Sequence, residues 1–386
     1  MKILYHQKSI FGAGGIERQI LRKAAWLVAH GIEVVVAVTD SPPPATRQFF
    51  PIDPRVNVIE LGINYTPASS KESGMNPLSK TIGFIRKRIL HRRRLKELLN
   101  KERPDILISV YPTVSSFIPS IGYDCPKILE FHFCRPWRTL AARRGVAGLI
   151  DRWRTLTDKA NVRRFDRFVV LTDDDMQLWQ PLDNLIKIPN GIPASVMTAD
   201  PAKSKKVVAV GRLTRQKGFD RLLKAWRLVK AHDEAADWRL EILGEGGLRP
   251  QLTDLAESLG IADSVAMPGN IDDIGPRLAD AAIFAASSRY EGHPLSIAEA
   301  MAAGLPVATF DCQCGPRELI TDGVDGLLVA NGEADSLADA ILRLIRQPRL
   351  RSSLGEAARL KITDRFNPER IMQQWIDLFE ALSPPK

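Results

Sequence analysis

Short apolar runs separated by amphipathic segments recur along the chain, and this rhythm limits the fold more than any composition figure. KILYHQ (2–7), IEVVVAVTD (32–40), VNVIEL (56–61), DILISVY (105–111), KILEFH (127–132) and RFVVLT (167–172) form a first series. VVAVGRL (207–213), WRLEILGEG (238–246), VAMPGN (265–270) and AAIFAASS (281–288) form a second, and no run exceeds nine residues. Runs this short, with helical segments between them, predict parallel strands joined by crossover helices. IPNGIP (188–193) breaks the pattern with a turn dipeptide and two prolines, as a hinge would. At 386 residues the chain also exceeds what one core normally fills. The expected fold is therefore α/β: two Rossmann-like, doubly wound domains, 1–190 and 191–365, facing each other across a cleft. A terminal segment, 366–386, reads as a helix apolar at Ile371, Trp375, Leu378 and Phe379. Crossing back to the first domain would tie the lobes together.

Charge is divided unevenly between the halves. Residues 1–190 hold 30 Lys and Arg against 18 Asp and Glu, a net +12, whereas the remainder holds 24 against 27, a net −3. An anionic partner for the first half follows. Leu78–Arg103 places Ile82, Ile85, Ile89, Leu95, Leu98 and Leu99 on one stripe among arginines and lysines. It reads as a crossover helix docked on the sheet with a solvated basic face; attachment to an anionic bilayer is the alternative. Arg135–Arg167 is a second Arg-rich helical stretch, with Trp137 and Trp153 available for an interface. No nucleic-acid-binding module accompanies this charge. No run is long enough to span a membrane, and MKILYHQ is not a signal peptide, so a cytoplasmic, at most peripheral, protein is expected. Cys125, Cys134, Cys312 and Cys314 lack zinc-ligand spacing and read as reduced thiols.

The chemistry concentrates at strand ends. In SRYEGHPLSIAEAMAAGLP (288–306), Glu291 lies in a loop and Glu299 on a helix opened by Pro294 and closed by Gly304. The N–H groups near Gly292, His293, Leu295 and Ser296 have no partner within that helix and form a ready anion site. Spacing alone favours a capped helix with two exposed glutamates; the neighbouring motifs reverse that reading. GRLTRQKG sets Arg212 and Lys217 between a strand and a helix, where two cations can meet a diphosphate. GAGGIE, with Gly14 and Gly15, and GEGGLR, with Gly244, are glycine-rich strand-to-helix turns that let a ligand approach the backbone. The first lacks the Lys-Ser/Thr ending of a P-loop. His132 ends the strand KILEFH and faces either the cleft or the core.

Taken together, GAGGIE, His132, PNGIP, GRLTRQKG, GEGGLR and the two glutamates with GPRELITDGVDGLL behind them resemble a retaining glycosyltransferase of family 4, with the GT-B arrangement. FDCQCGPRELI is most similar to bacterial enzymes that build exopolysaccharide, capsular or lipid-linked chains from UDP-hexoses. The resemblance implies that Glu299 binds the donor ribose, Arg212 and Lys217 the diphosphate, and Glu291 and His132 the transferred sugar. It also implies that Gly14 and Gly15 close over the diphosphate and that the base lies near Gly269 and Asn270. Implied too are a UDP-sugar donor, a lipid-linked or glycan acceptor, and attachment of the basic domain to the anionic inner-membrane surface. No nucleic acid partner and no cofactor or metal are expected, because no D-x-D motif is evident; Asp173–Asp175 follow a strand but match no family motif. A nucleotide-sugar epimerase or hydrolase, or a non-catalytic nucleotide-sugar-binding protein, are the alternatives.

Overall fold

The computed structural model describes residues 1–42, 48–65, 77–111, 116–140 and 145–383. Part of the proline-rich 41–51 loop lies outside them. Two wholly parallel sheets carry the chain. The first runs in the order β3-β2-β1-β4-β5-β6-β7 and the second in the order β10-β9-β8-β11-β12-β13. The first comprises β1 (Lys2–Gln7), β2 (Glu33–Val38), β3 (Asn57–Glu60), β4 (Ile106–Tyr111), β5 (Lys127–Phe131), β6 (Arg167–Val170) and β7 (Leu185–Lys187). The second comprises β8 (Lys206–Val210), β9 (Arg239–Leu243), β10 (Val265–Gly269), β11 (Ile283–Ala286), β12 (Val307–Phe310) and β13 (Leu327–Val329). Both orders reverse direction beside the first strand of each sheet, which opens a crevice beyond the strand C-termini.

Strand alternation explains why each sheet needs helices on both faces. Along β1, Ile3 and Tyr5 enter one apolar cluster while Leu4 enters the opposite one. Val207 and Ala209 of β8 likewise face away from Val208. The first lobe's cluster around Ile3 and Tyr5 is completed by Ile371, Met372, Trp375, Leu378 and Phe379 of the helix Pro368–Leu382. The chain therefore does return to its first lobe. Each of those side chains contributes about 1.5–3 kcal/mol on burial. Asn367 caps this helix by accepting from the Glu369 N–H at 2.9 Å, and Ile192 N–H donates to Phe366 O at 2.8 Å where the hinge passes beneath it.

The basic helix departs from expectation. It spans Pro77–Glu102, and Leu95, Leu98 and Leu99 dock as anticipated. Ile82, Ile85 and Ile89 are exposed, as are Phe84 and Leu90. At 26 residues the helix is about 39 Å long, about twice the length of a six-residue strand, so one sheet face cannot cover its whole stripe. In the second Arg-rich stretch, the helix Gly145–Val162 exposes Leu149, Trp153 and Leu156 to 65%, 64% and 78%. Trp137, by contrast, stacks on Phe133 with centroids 5.2 Å apart. Among the described residues, no helix is long and apolar enough to cross a membrane.

Candidate active site in the interlobe cleft

The strand ends of the two sheets converge on a cleft of about 620 Å³. One wall is the start of the helix Gly15–Ala29, and the opposite wall is the start of the helix Leu295–Ala302. The two helix starts touch: a Cβ on Gly15 would lie 2.9 Å from Leu295 Cδ1. Pro294 immediately precedes the second helix as its N-cap residue, one position earlier than its expected place as first helical residue. Both helices begin at this space and turn the positive ends of their dipoles towards it, with the Glu17 carboxylate beside Gly14 at the first, an environment suited to an anion.

Of the anticipated residues, Gly14, Gly15, His132, Arg212, Lys217, Gly244, Asn270, Glu291, Gly292, His293, Leu295, Ser296 and Glu299 all line the cleft. Gly269 does not. It ends β10 with φ +97°, and its carbonyl accepts from the N–H of the cleft-lining Gly244 at 2.8 Å. Gly292 is required by packing, because a Cβ there would fall 2.3 Å from the His132 carbonyl oxygen of the other lobe.

The two glutamates occupy different settings. Glu291 is buried, and its Oε1 accepts from Lys217 Nζ and from Ser288 Oγ, each at 2.6 Å. Lys217 and Glu291 thus form one preassembled unit, while Arg212 stands exposed at the rim with no ion pair among the described residues. Glu299 reaches across the cleft instead. Its Oε1 lies 2.5 Å from Arg18 Nη2 and 3.6 Å from Arg22 Nη1, and its buried Oε2 has no partner among the described residues. A buried carboxylate oxygen without a donor is costly, and ligand hydroxyls would satisfy it. His293 is buried with both ring nitrogens unpartnered among the described residues. Burial, then the nearby His132 and Lys187, push its pKa down to about 3, so the ring is neutral at physiological pH.

Several contacts in and around the cleft were not foreseen. Arg18 and Arg22, one turn apart just inside the helix after GAGG, could have been flagged by their spacing. Asp173 and Asp174 prove to be lobe ties: the Asp173 N–H donates to Glu318 Oε2 at 3.0 Å, and Asp174 Oδ2 accepts from the Cys314 N–H at 3.1 Å. Lys187 Nζ reaches the same Glu318 at 3.0 Å. Asp175 is buried and accepts from the Arg135 N–H at 2.9 Å; burial above all raises its carboxyl to about 7. The four cysteines are buried and free.

Comparison with known proteins agrees with this geometry. Residues 14–183 match the family described as glycosyl transferase 4-like domain, and residues 197–361 match glycosyl transferases group 1. An uncharacterized glycosyltransferase of Haemophilus influenzae is 28% identical over 97% of this chain and 98% of its own length. The lipopolysaccharide core biosynthesis glycosyltransferase LpsE of Rhizobium meliloti is 27% identical over 76% of this chain and 81% of its own. In several other curated relatives the chain spans only 23–48% of their length. The pneumococcal O-GlcNAc transferase GtfA, solved with UDP and GlcNAc, superposes with a TM-score of 0.77 over 100% of this chain and 99% of that one, at 16% identity. The two lobes thus have the GT-B fold.

Proposed function

We propose, for a chain that belongs to the group 1 and 4-like glycosyl transferases, that it moves a hexose from a UDP-sugar to a lipid-linked or growing glycan acceptor in bacterial surface polysaccharide synthesis. The observation that carries this reading is the conjunction, in one cleft, of two cations, two helix N-termini and an unsatisfied carboxylate oxygen. The diphosphate would lie between Lys217, Arg212 and the Gly292–Ser296 N–H groups. Glu299 Oε2 would accept from the ribose hydroxyls beyond it, and Glu291, with His132, would face the sugar. Relatives named for lipopolysaccharide and amylovoran synthesis, and the UDP held by the pneumococcal structure, support the donor and the pathway class.

The chemistry follows from charge. As the bond from the sugar's anomeric carbon to the diphosphate oxygen breaks, negative charge grows on the leaving group, where Lys217, Arg212 and the N–H dipoles are already oriented. An acceptor hydroxyl attacks the same carbon from the same face, its oxygen forming the new bond while its proton passes to the departing phosphate oxygen. Configuration is retained without a covalent intermediate. Glu291 is tied to Lys217 and Ser288, which suits it to binding and not to nucleophilic attack. The two cations and the N–H groups compensate the diphosphate, so excess EDTA is expected to leave the rate unchanged.

The acceptor side favours an anionic membrane surface on the cytoplasmic face. Leu149, Trp153 and Leu156 share one face of their helix beside the exposed Arg152 and Arg154, and the first half of the Pro77–Glu102 helix adds the exposed Ile82, Phe84, Ile85 and Ile89 among arginines. Incubation with labelled UDP-sugars and polyprenyl-diphosphate glycans, read by mass spectrometry, tests the whole reading. Acceptor-dependent release of UDP with a heavier glycan supports it. Sugar release at the same rate without acceptor, or no turnover of any UDP-sugar, overturns it.

A further inference from the structure

Beneath the cleft, the first lobe holds an ion pair where apolar packing would be expected. Lys23, on the Gly15–Ala29 helix, turns inward with Nζ 4.5 Å from the Trp375 ring centroid and 5.7 Å from that of Tyr5. It makes a direct ion pair with Glu130 of β5, and both side chains are buried. Glu130 and His132 leave the chain two residues apart, on the same face. His132 Nε2 lies 3.1 Å from the Glu130 oxygen that meets Lys23, although off the line of a hydrogen bond, and Glu130 Oε2 has no partner among the described residues. Burial alone would raise the Glu130 carboxyl, but Lys23 and His132 outweigh it and hold the group below the usual carboxylate range.

Withdrawing two charges from water is costly enough that well-packed apolar side chains often hold a core as well or better. A buried ion pair is thus a weak choice for stability alone. Its remaining neighbour is His132, the one member of the group that lines the cleft.

We propose that Glu130 is the positioning residue of His132, with Lys23 holding Glu130 in place. A small rotation of the ring lets Nε2–H donate to the carboxylate. This fixes the tautomer and leaves Nδ1 bare, as an acceptor for a hydroxyl of the sugar in transfer. Trp375 closes the far side of Lys23, so the returning helix belongs to the same line of contacts. The proposal rests on the reading of His132 as a sugar contact.

Two double variants and one spectrum test it. K23M with E130L removes both charges at similar volume, while K23M with E130Q keeps an uncharged acceptor for Nε2–H. The Leu variant is expected to melt no lower than the parent and to lose about tenfold in kcat with donor KM little changed. The Gln variant recovers most of that loss. Imidazole nitrogen NMR of the isotopically labelled parent should show His132 protonated on Nε2, with a mixture of tautomers in the Leu variant. A folded Leu variant with parental kcat, equal losses in the two variants, or a parent protonated on Nδ1 would overturn the proposal. H132A separates the two readings: parental rates there refute the sugar contact itself, while the tautomer measurement still decides whether Glu130 positions the ring.

Discussion

Replacing Glu299 by glutamine probes the cleft at its most informative point. In the structure this carboxylate holds Arg18 at 2.5 Å and Arg22 at 3.6 Å with one oxygen, and the other has no donor among the described residues. A hydrogen bond to a charged acceptor contributes about 1.5–3 kcal/mol. Loss of the charge should therefore weaken donor binding by about 10- to 100-fold. The arginines modify this number. Without their counter-charge, Arg18 and Arg22 are free to attract phosphate, which partly restores the affinity of UDP but not that of uridine. Titration calorimetry with UDP and with uridine, beside initial rates at saturating donor, separates the terms. The expected pattern is a larger loss for uridine than for UDP, with kcat reduced less than about threefold. Collapse of kcat with donor affinity unchanged would refute the ribose assignment and make Glu299 part of the chemical step. Equal losses for uridine and UDP would refute the compensation by Arg18 and Arg22.

Other perturbations carry equally definite outcomes. Lys217→Ala removes a leaving-group cation and leaves the buried Glu291 with only Ser288, so kcat should fall about 10²- to 10³-fold in steady-state assays while circular dichroism stays native. Asp175, raised to about 7 from an ordinary value of 3.8, favours the folded state most below pH 4, and that contribution is lost as pH rises towards 7. Asp175→Asn should therefore flatten the fall in denaturation midpoint between about pH 4 and 7, a contribution of up to about 4 kcal/mol; an unchanged slope would exclude Asp175 as its source. Sedimentation with vesicles should show binding that needs anionic lipid and weakens with salt, and W153A with L156D should reduce it several-fold; undiminished binding to neutral vesicles in high salt would count against the surface.

Much of this architecture was legible because punctuation is local. Gly304 and Pro306 stop the Glu299 helix, Gly31 stops the first, and Pro-Asn-Gly-Ile-Pro separates the lobes; each acts through the backbone of its own few residues. The end of the apolar run KILEFH likewise placed His132 at the C-terminal end of a strand. What escaped was tertiary. Lys23 and Glu130 are 107 positions apart, and nothing near either announces the other. The stripe of the Pro77–Glu102 helix was visible, but periodicity reports that a face is apolar without saying what covers it or how far the sheet extends. Gly269 was placed near the base by resemblance, whereas its positive φ and its hydrogen bond to Gly244 give it a turn-forming part outside the lining.

The return of the Pro368–Leu382 helix also sets an order of assembly. Because Trp375 and Phe379 belong to the same cluster as Ile3 and Tyr5, the lobe translated first lacks part of its core until nearly the last residue of that helix has left the ribosome. The second lobe, whose clusters draw only on residues 192–366, can close before then. A ribosome-arrest series should accordingly find protease resistance appearing in the later-made half first, with the earlier-made half maturing once Phe379 has emerged from the ribosome.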